Sequence, residues 1–165
     1  MNDILQKHEK IDILINNASV MTSGELVDCD PEEIENVIKV NMIGTLNATK
    51  AIVPHMKENR EGLIININSQ AGLYYKSERS AYHGSKWGVT GMTGSLQAEL
   101  SKYGIRVTGV YPGALEISME INKTKTPRAQ NDGLKYSEVI RVIRFIMDTP
   151  KDVIIPEIGI KHINN

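Results

Sequence analysis

Four short apolar runs, each set off from the next by a long segment of helical spacing, constrain this chain more than any other feature. They lie at 11–15 (IDILI), 63–68 (LIININ), 105–112 (IRVTGVYP) and 152–156 (DVIIP). A strand that is apolar at successive positions buries both faces, as strands of parallel sheets do. Between the first two runs, Ile34, Val37, Ile38, Met42 and Leu46 recur at spacings of three and four, one face of a helix. Asp30, Pro31 and two glutamates open it with a capping side chain, a proline at the first position and acids at the positive dipole end. Further helices are predicted over 80–102 and 137–147, the second with Val139, Ile140, Val142, Ile143 and Ile146 on a broad apolar face. The alternation predicts an α/β architecture, a doubly wound parallel sheet with right-handed crossovers. At 165 residues, one domain is the expectation.

Composition excludes several function classes. A charge of −1, a pI near 6.4 and unclustered basic residues leave no electrostatic footprint for nucleic acid or an anionic membrane. No apolar run approaches a membrane span, and the opening MNDILQKHEK has no basic stretch leading into an apolar one, so a cytoplasmic protein is expected. The lone Cys29 sits between Asp28 and Asp30, without the positive charge that activates a thiol, and reads as a loop residue. His8, His55 and His162 show no metal-ligand spacing with cysteine or acid, and no metal is expected.

In doubly wound sheets the ligand crevice lies outside the carboxyl ends of the strands. Asn16, Asn17, Ala18, Ser69, Pro112 and Gly113 fall there, and the polar, aperiodic stretch 115–132 is expected as a mobile loop above them. Tyr82 and Lys86, four apart on a helix, share one face. An ammonium near a phenol stabilises the phenolate and draws the tyrosine down from about 10 towards the range of a general acid or base. The spacing is not specific, since a solvated tyrosine–lysine pair arises readily by chance. Singly, Asn41 also reads as an ordinary helix residue, Ser69 as a helix cap and Pro112-Gly113 as a turn. His83, one position after Tyr82, is expected to point away from it. Gly84, Gly88 and Gly91 line one side of the same helix at a cost of about 1 kcal/mol each against alanine, which close packing could offset.

The combination is far more specific than its parts. NNAS at 16–19, Asn41 within a helix, Ser69 at a strand end, Tyr82-His-Gly-Ser-Lys86 and Tyr111-Pro112-Gly113 stand in one order and register. The chain thereby resembles the short-chain dehydrogenase/reductase family over almost its whole length. The resemblance implies a Rossmann-like sheet, NAD or NADP as cofactor and a small-molecule substrate, a secondary alcohol and its ketone being interconverted. It implies that Tyr82 exchanges the proton at the substrate oxygen and that Ser69 orients that oxygen. Lys86 would lower the tyrosine pKa and hold the nicotinamide ribose, and Asn41 would hold a water linking the lysine to solvent. Asn16, Ala18 and Ser19 would line the adenosine ribose side, and Pro112, Gly113 and Leu115 would border the nicotinamide. A homo-oligomer built on the helices of Tyr82 and Asn41 is implied as well.

The sequence also departs from the family pattern. The family opens with a strand, a glycine-rich turn and a helix whose amides hold a pyrophosphate, and no G-x-G occurs here. Residues 1–165 therefore read as a single partial Rossmann-type domain, the catalytic part, N-terminally truncated by on the order of 60–80 residues. The first strands would be missing, leaving an exposed sheet edge. The residue that selects NAD or NADP, normally after the second strand, cannot be read. Ser19 stands where the family has glycine, and Ile117, with Ser118 beside it, where it has threonine. The alternative to an enzyme is a non-catalytic remnant that serves as a binding or oligomerisation module.

Overall fold

The computed structural model describes residue 4 and residues 7–116 and 133–164. Strands β1 (Ile13–Asn16), β2 (Gly62–Ile67), β3 (Ile105–Pro112) and β4 (Glu157–Ile160) form one sheet in the order β1-β2-β3-β4, every pair parallel. Parallel neighbours need a crossover each. The first contains α1 (Pro31–Ile38), a π-helical turn at Lys39–Gly44 and α2 (Thr45–Asn59). The second contains α3 (Ser80–Leu100), and the third α4 (Tyr136–Asp148).

The sheet is covered on both faces, and the apolar runs show why. In β2, Ile64 enters a layer with Ile52 and Met56 of α2 and Leu100 of α3. Its neighbours Leu63 and Ile65 enter the opposite layer with Val110 and with Ile146 of α4. Successive apolar residues therefore serve two cores, as the doubly wound reading requires. Asp30 caps α1 by accepting from the Glu32 amide at 2.9 Å, with Pro31 at the first helical position.

Two expectations need correction. The fourth strand lies at 157–160, not 152–156. Pro156 has no N–H for a ladder; its carbonyl accepts from Gly109 at 3.0 Å, and pairing begins one residue later. The apolar Ile155 of the expected strand still packs against the α4 layer. The periodic segment after Asp30 is likewise not one α-helix, because six residues in its middle take π geometry. The other boundaries move by one or two residues. Of the expected loop at 115–132, residues 117–132 lie outside the described residues, and Leu115 forms a bridge to Leu134 on the far side of that stretch. Among the described residues β1 is paired on one side only.

Ile64→Ala should lower stability by about 2–5 kcal/mol, read from the urea midpoint at unchanged slope. Tyr75→Ala, at an exposed position, should stay within about 0.5 kcal/mol. Equal costs at the two positions would contradict the layered core.

Candidate active site

The carboxyl ends of β1, β2 and β3 open on the same side as the first turns of α3, which gathers Ser69, Tyr82 and Lys86. Lys86 is 3% exposed, and its Nζ donates to the carbonyls of Ile67 (3.4 Å) and Asn68 (3.5 Å), both long bonds. No carboxylate pairs with it among the described residues. Burial without a counter-charge pulls its pKa from 10.5 to about 8. Its Nζ stands 5.8 Å from the centre of the Tyr82 ring.

The expected lowering of the Tyr82 pKa by Lys86 is not what governs it. Burial pushes the phenol up from its ordinary value, and the Ser69 hydroxyl and the charge of Arg79 pull it partly back. The sequence reading weighed the lysine charge but not the desolvation that acts on both groups.

The cap reading of Ser69 holds. Its Oγ accepts from the Ala71 amide at 3.1 Å, capping a short 3₁₀ turn at Gln70–Gly72, while the same hydroxyl acts on Tyr82. A polar knot fixes this turn against α3. Asn68 Nδ2 donates to the Lys86 carbonyl (3.2 Å) and to Thr90 Oγ1 (2.9 Å), and Thr90 Oγ1 donates to the Gly72 carbonyl (2.9 Å). A Cβ on Gly72 would lie 2.7 Å from Thr90 Oγ1, 2.8 Å from Asn68 Nδ2 and 2.9 Å from the Lys86 carbonyl. The strand end that carries Ser69 is thus tied in register to the helix that carries Tyr82 and Lys86. From the same turn Gln70 Nε2 donates to the Tyr111 carbonyl at 2.8 Å, joining the ends of β2 and β3.

Asn41 sits in the π-helical turn, an irregularity often found at functional sites. Its Oδ1 accepts from the Val20 amide (2.9 Å), and its Nδ2 donates to the Val20 carbonyl (2.9 Å) and to Ser85 Oγ (2.9 Å). Ser85 Oγ in turn donates to the Tyr82 carbonyl at 2.7 Å. The side chain of Asn41 is therefore a clasp between α3 and the loop bearing Ala18 and Ser19, with both N–H donors and one acceptor position of Oδ1 met by protein. Asn16 also points inward, donating to Thr49 Oγ1 (3.1 Å) and Asn66 Oδ1 (2.8 Å), whereas Ala18 and Ser19 are exposed.

Pro112 and Gly113 do not form a turn. Pro112 pairs with Ile160, and the Gly113 amide donates to the Ile160 carbonyl at 2.7 Å, so the strand runs on. His83 does not point clear of Tyr82: the rings meet edge to face with centres 6.1 Å apart, although Nδ1 is engaged by the Tyr74 carbonyl at 2.7 Å. Cys29 is half-buried, its Sγ 3.4 Å from the Glu25 carbonyl. Of the three glycines on α3, Gly88 packs against Met42, while nothing lies within 4 Å of a Cβ built on Gly84 or Gly91. Among the described residues no group of three or more His, Cys, Asp or Glu could hold a metal. No described helix is long and apolar enough to cross a membrane. Sequence reasoning missed Ser85, Asn68, Thr90 and Arg79, whose roles depend on contacts between separate elements.

The family model for short chain dehydrogenases matches residues 1–128. The chain belongs to the short-chain dehydrogenase family. It is 40% identical over 116 residues to the 3-oxoacyl-[acyl-carrier-protein] reductase FabG of Thermotoga maritima, a match covering 70% of this chain and 47% of that protein. It is 39% identical over 115 residues to the trans-4-hydroxycyclohexanecarboxylate dehydrogenase of Sinomonas cyclohexanicum, covering 70% and 44%. The chain thus spans about half the length of these short-chain dehydrogenases. Among solved structures it superposes on the alcohol dehydrogenase of the archaeon Thermococcus sibiricus, complexed with 5-hydroxy-NADP, with a TM-score of 0.88 at 22% identity, covering 99% of this chain and 68% of that one. A metagenomic short-chain oxidoreductase in complex with NADP gives 0.81 at 28% identity, covering 96% and 65%. These likenesses carry the Rossmann-type fold.

Two measurements test the site as built. Gly72→Ala should cost about 1–3 kcal/mol by overpacking the knot, whereas Gly91→Ala, facing open space, should be neutral or stabilising. Lys86 provides a pH test. Its folded pKa is lowered, so the unfolded chain binds more protons between about 8 and 10.5, and stability should rise with pH across that window. Subtracting the urea-derived stability of Lys86→Met from that of the parent chain at each pH isolates this rise, and a flat difference would show that Lys86 is solvated.

Proposed function

We propose that this chain is the catalytic part of an NAD(P)-dependent oxidoreductase that interconverts a secondary alcohol and a ketone. The observation that carries this reading is the assembly of half-buried Ser69 and Tyr82 with buried Lys86, held in register by the knot through Asn68, Thr90 and Gly72. Relatives named for reducing a 3-oxoacyl group and for oxidising a hydroxycyclohexanecarboxylate support the reaction class. Neighbours solved with NADP support the cofactor.

The residues present suit the nicotinamide half of such a cofactor. Lys86 holds its ammonium on two long bonds and keeps donor capacity for ribose hydroxyls. No glycine-rich turn in the sequence matches the pyrophosphate. When bound, the nicotinamide supplies or accepts the hydride. In the reducing direction Tyr82 gives its phenolic proton to the substrate oxygen, and in the oxidising direction it takes that proton back. Ser69 donates a hydrogen bond to the same oxygen and orients it. Lys86, when charged, offsets the cost that burial places on a Tyr82 phenolate. Asn41 acts by position, holding the loop of Ala18 and Ser19 against α3. Pro112, Gly113 and Leu115 border the nicotinamide, and Asn16 supports the adenosine side through its inward bonds. The open flank of α3 at Gly84 and Gly91 suits close approach of a second copy, and we read the working protein as a cytoplasmic homo-oligomer.

Thermal unfolding with and without NADH and NADPH tests this directly. A cofactor at 100 times its dissociation constant should stabilise the chain by about 2.7 kcal/mol, and the one that does so names the preference. Tyr82→Phe should keep that stabilisation while turnover falls by about 10²–10⁴-fold. A Tyr82→Phe protein with its rate intact would overturn the mechanism. A chain that ignores both cofactors would instead be a non-catalytic binding or oligomerisation module.

A further inference from the structure

Arg79 is the N-cap residue of α3, three positions before Tyr82 and near enough for its charge to act on the phenol. It is half-buried, and its Nη1 reaches Met21 Sδ at 3.9 Å. Met21 follows Val20, the residue clasped by Asn41. The guanidinium therefore spans from the start of the catalytic helix to the loop that carries Ala18 and Ser19, beside the phenol that is to meet the substrate oxygen. Its positive charge is felt at Tyr82, where it opposes the effect of burial.

No acid of the described residues claims this charge. The ion pairs there join Lys10 to Asp12 and Glu61, Lys57 to Glu99 and Lys151 to Glu61. Of the acids on the adjoining elements, Glu33 is engaged by Thr22 Oγ1 at 2.8 Å, and Glu78 is exposed, holding the loop only through its carbonyl, which accepts from the Gly24 amide at 2.8 Å. A thioether is a weak acceptor, whereas a guanidinium presents five donors in a planar fork that matches a carboxylate. Among the described residues this half-buried guanidinium meets only a sulfur, which leaves most of its binding capacity beside Tyr82.

We propose that Arg79 is a specificity-determining residue that receives a carboxylate of the substrate, so that the site prefers oxo acids and hydroxy acids to neutral ketones and alcohols. This rests on the oxidoreductase reading above. The same fork could serve a cofactor phosphate, and the test separates the two sources.

The probes are 2-oxobutanoate, 3-oxobutanoate and 4-oxopentanoate, each beside its methyl ester, with NADH or NADPH saturating. Binding is followed by calorimetry and turnover by nicotinamide absorbance. At one chain length the acid should be favoured over its ester by about tenfold or more in both affinity and kcat/KM, the scale of a charge-assisted hydrogen bond. In Arg79→Gln the preference should fall below about twofold through KM, with the ester, the cofactor affinity and the melting temperature unchanged, and Arg79→Lys should restore part of it. Esters handled as well as acids at every length would overturn the inference and leave the oxidoreductase reading standing. So would an Arg79→Gln protein that loses cofactor affinity while treating acid and ester alike, which would assign the guanidinium to a phosphate. If neither acids nor esters bind or react and neither cofactor stabilises the chain, the oxidoreductase reading falls and this inference falls with it.

Discussion

A lysine ammonium buried to 3% exposure with no carboxylate beside it sets the terms for everything around this site. Burying a charge is costly unless dipoles replace water, and here the dipoles are the carbonyls of Ile67 and Asn68 at the end of β2. Ile67 is the last residue of β2 and Asn68 the one after it, so both carbonyls lie where the strand ends. The site therefore depends on where β2 stops. The stop is enforced by Ser69, which turns the chain into a 3₁₀ turn, and by Gly72, whose missing side chain lets that turn approach the Lys86 carbonyl. Asn68 completes the arrangement at a cost, since its buried Oδ1 has no hydrogen-bond partner.

The same logic extends across the layer beneath. Asn16 of β1 bonds to Thr49 of α2 and to Asn66 of β2, and Asn66 bonds to Thr93 of α3. Four elements are joined by amide and hydroxyl side chains at the end of the sheet nearest the chemistry, while Ile52, Ile64 and Leu100 pack the apolar layer of that face. Apolar packing holds the layers together but tolerates some sliding. A directional polar chain does not, and it is concentrated at the end of the sheet that carries Ser69 and faces Tyr82 and Lys86.

The fold was legible in the sequence because burial on both faces leaves a local mark: each strand is a continuous apolar run and each crossover a helical period. The fourth strand was misplaced because apolarity alone cannot tell the run at 152–155, of which Ile155 packs against the α4 layer without pairing, from the residues of 157–160, which pair. The missing N–H of Pro156 was the signal that separated them. The residues proposed to bear the chemistry stood out through the order and spacing of NNAS, Asn41, Ser69, Tyr82 and Lys86. Their supports did not, because Ser85, Thr90 and Asn68 act through partners 18 to 44 residues away, and no local pattern marks a serine that receives an asparagine from another helix. The π-helical turn at Asn41 was hidden for a related reason: its apolar spacing still reads as a helix, and only the clasp on Val20 reveals that the helix is distorted there.

Burial acts on Tyr82 and Lys86 in opposite directions along the pH scale and to the same end, favouring the neutral form of each. The phenol is raised above its ordinary 10 and the ammonium lowered to about 8, so the two move apart and the phenol becomes the weaker acid of the pair. Ser69 and Arg79 are the two groups that pull Tyr82 back. Ser69 does so through a hydrogen bond; Arg79 does so through its field alone. A ligand carboxylate on the guanidinium would weaken that field at the phenol and favour the protonated tyrosine, the form that donates in carbonyl reduction. Recognition of an acid and readiness to deliver the proton would then follow from a single charge placed one helical turn before the tyrosine.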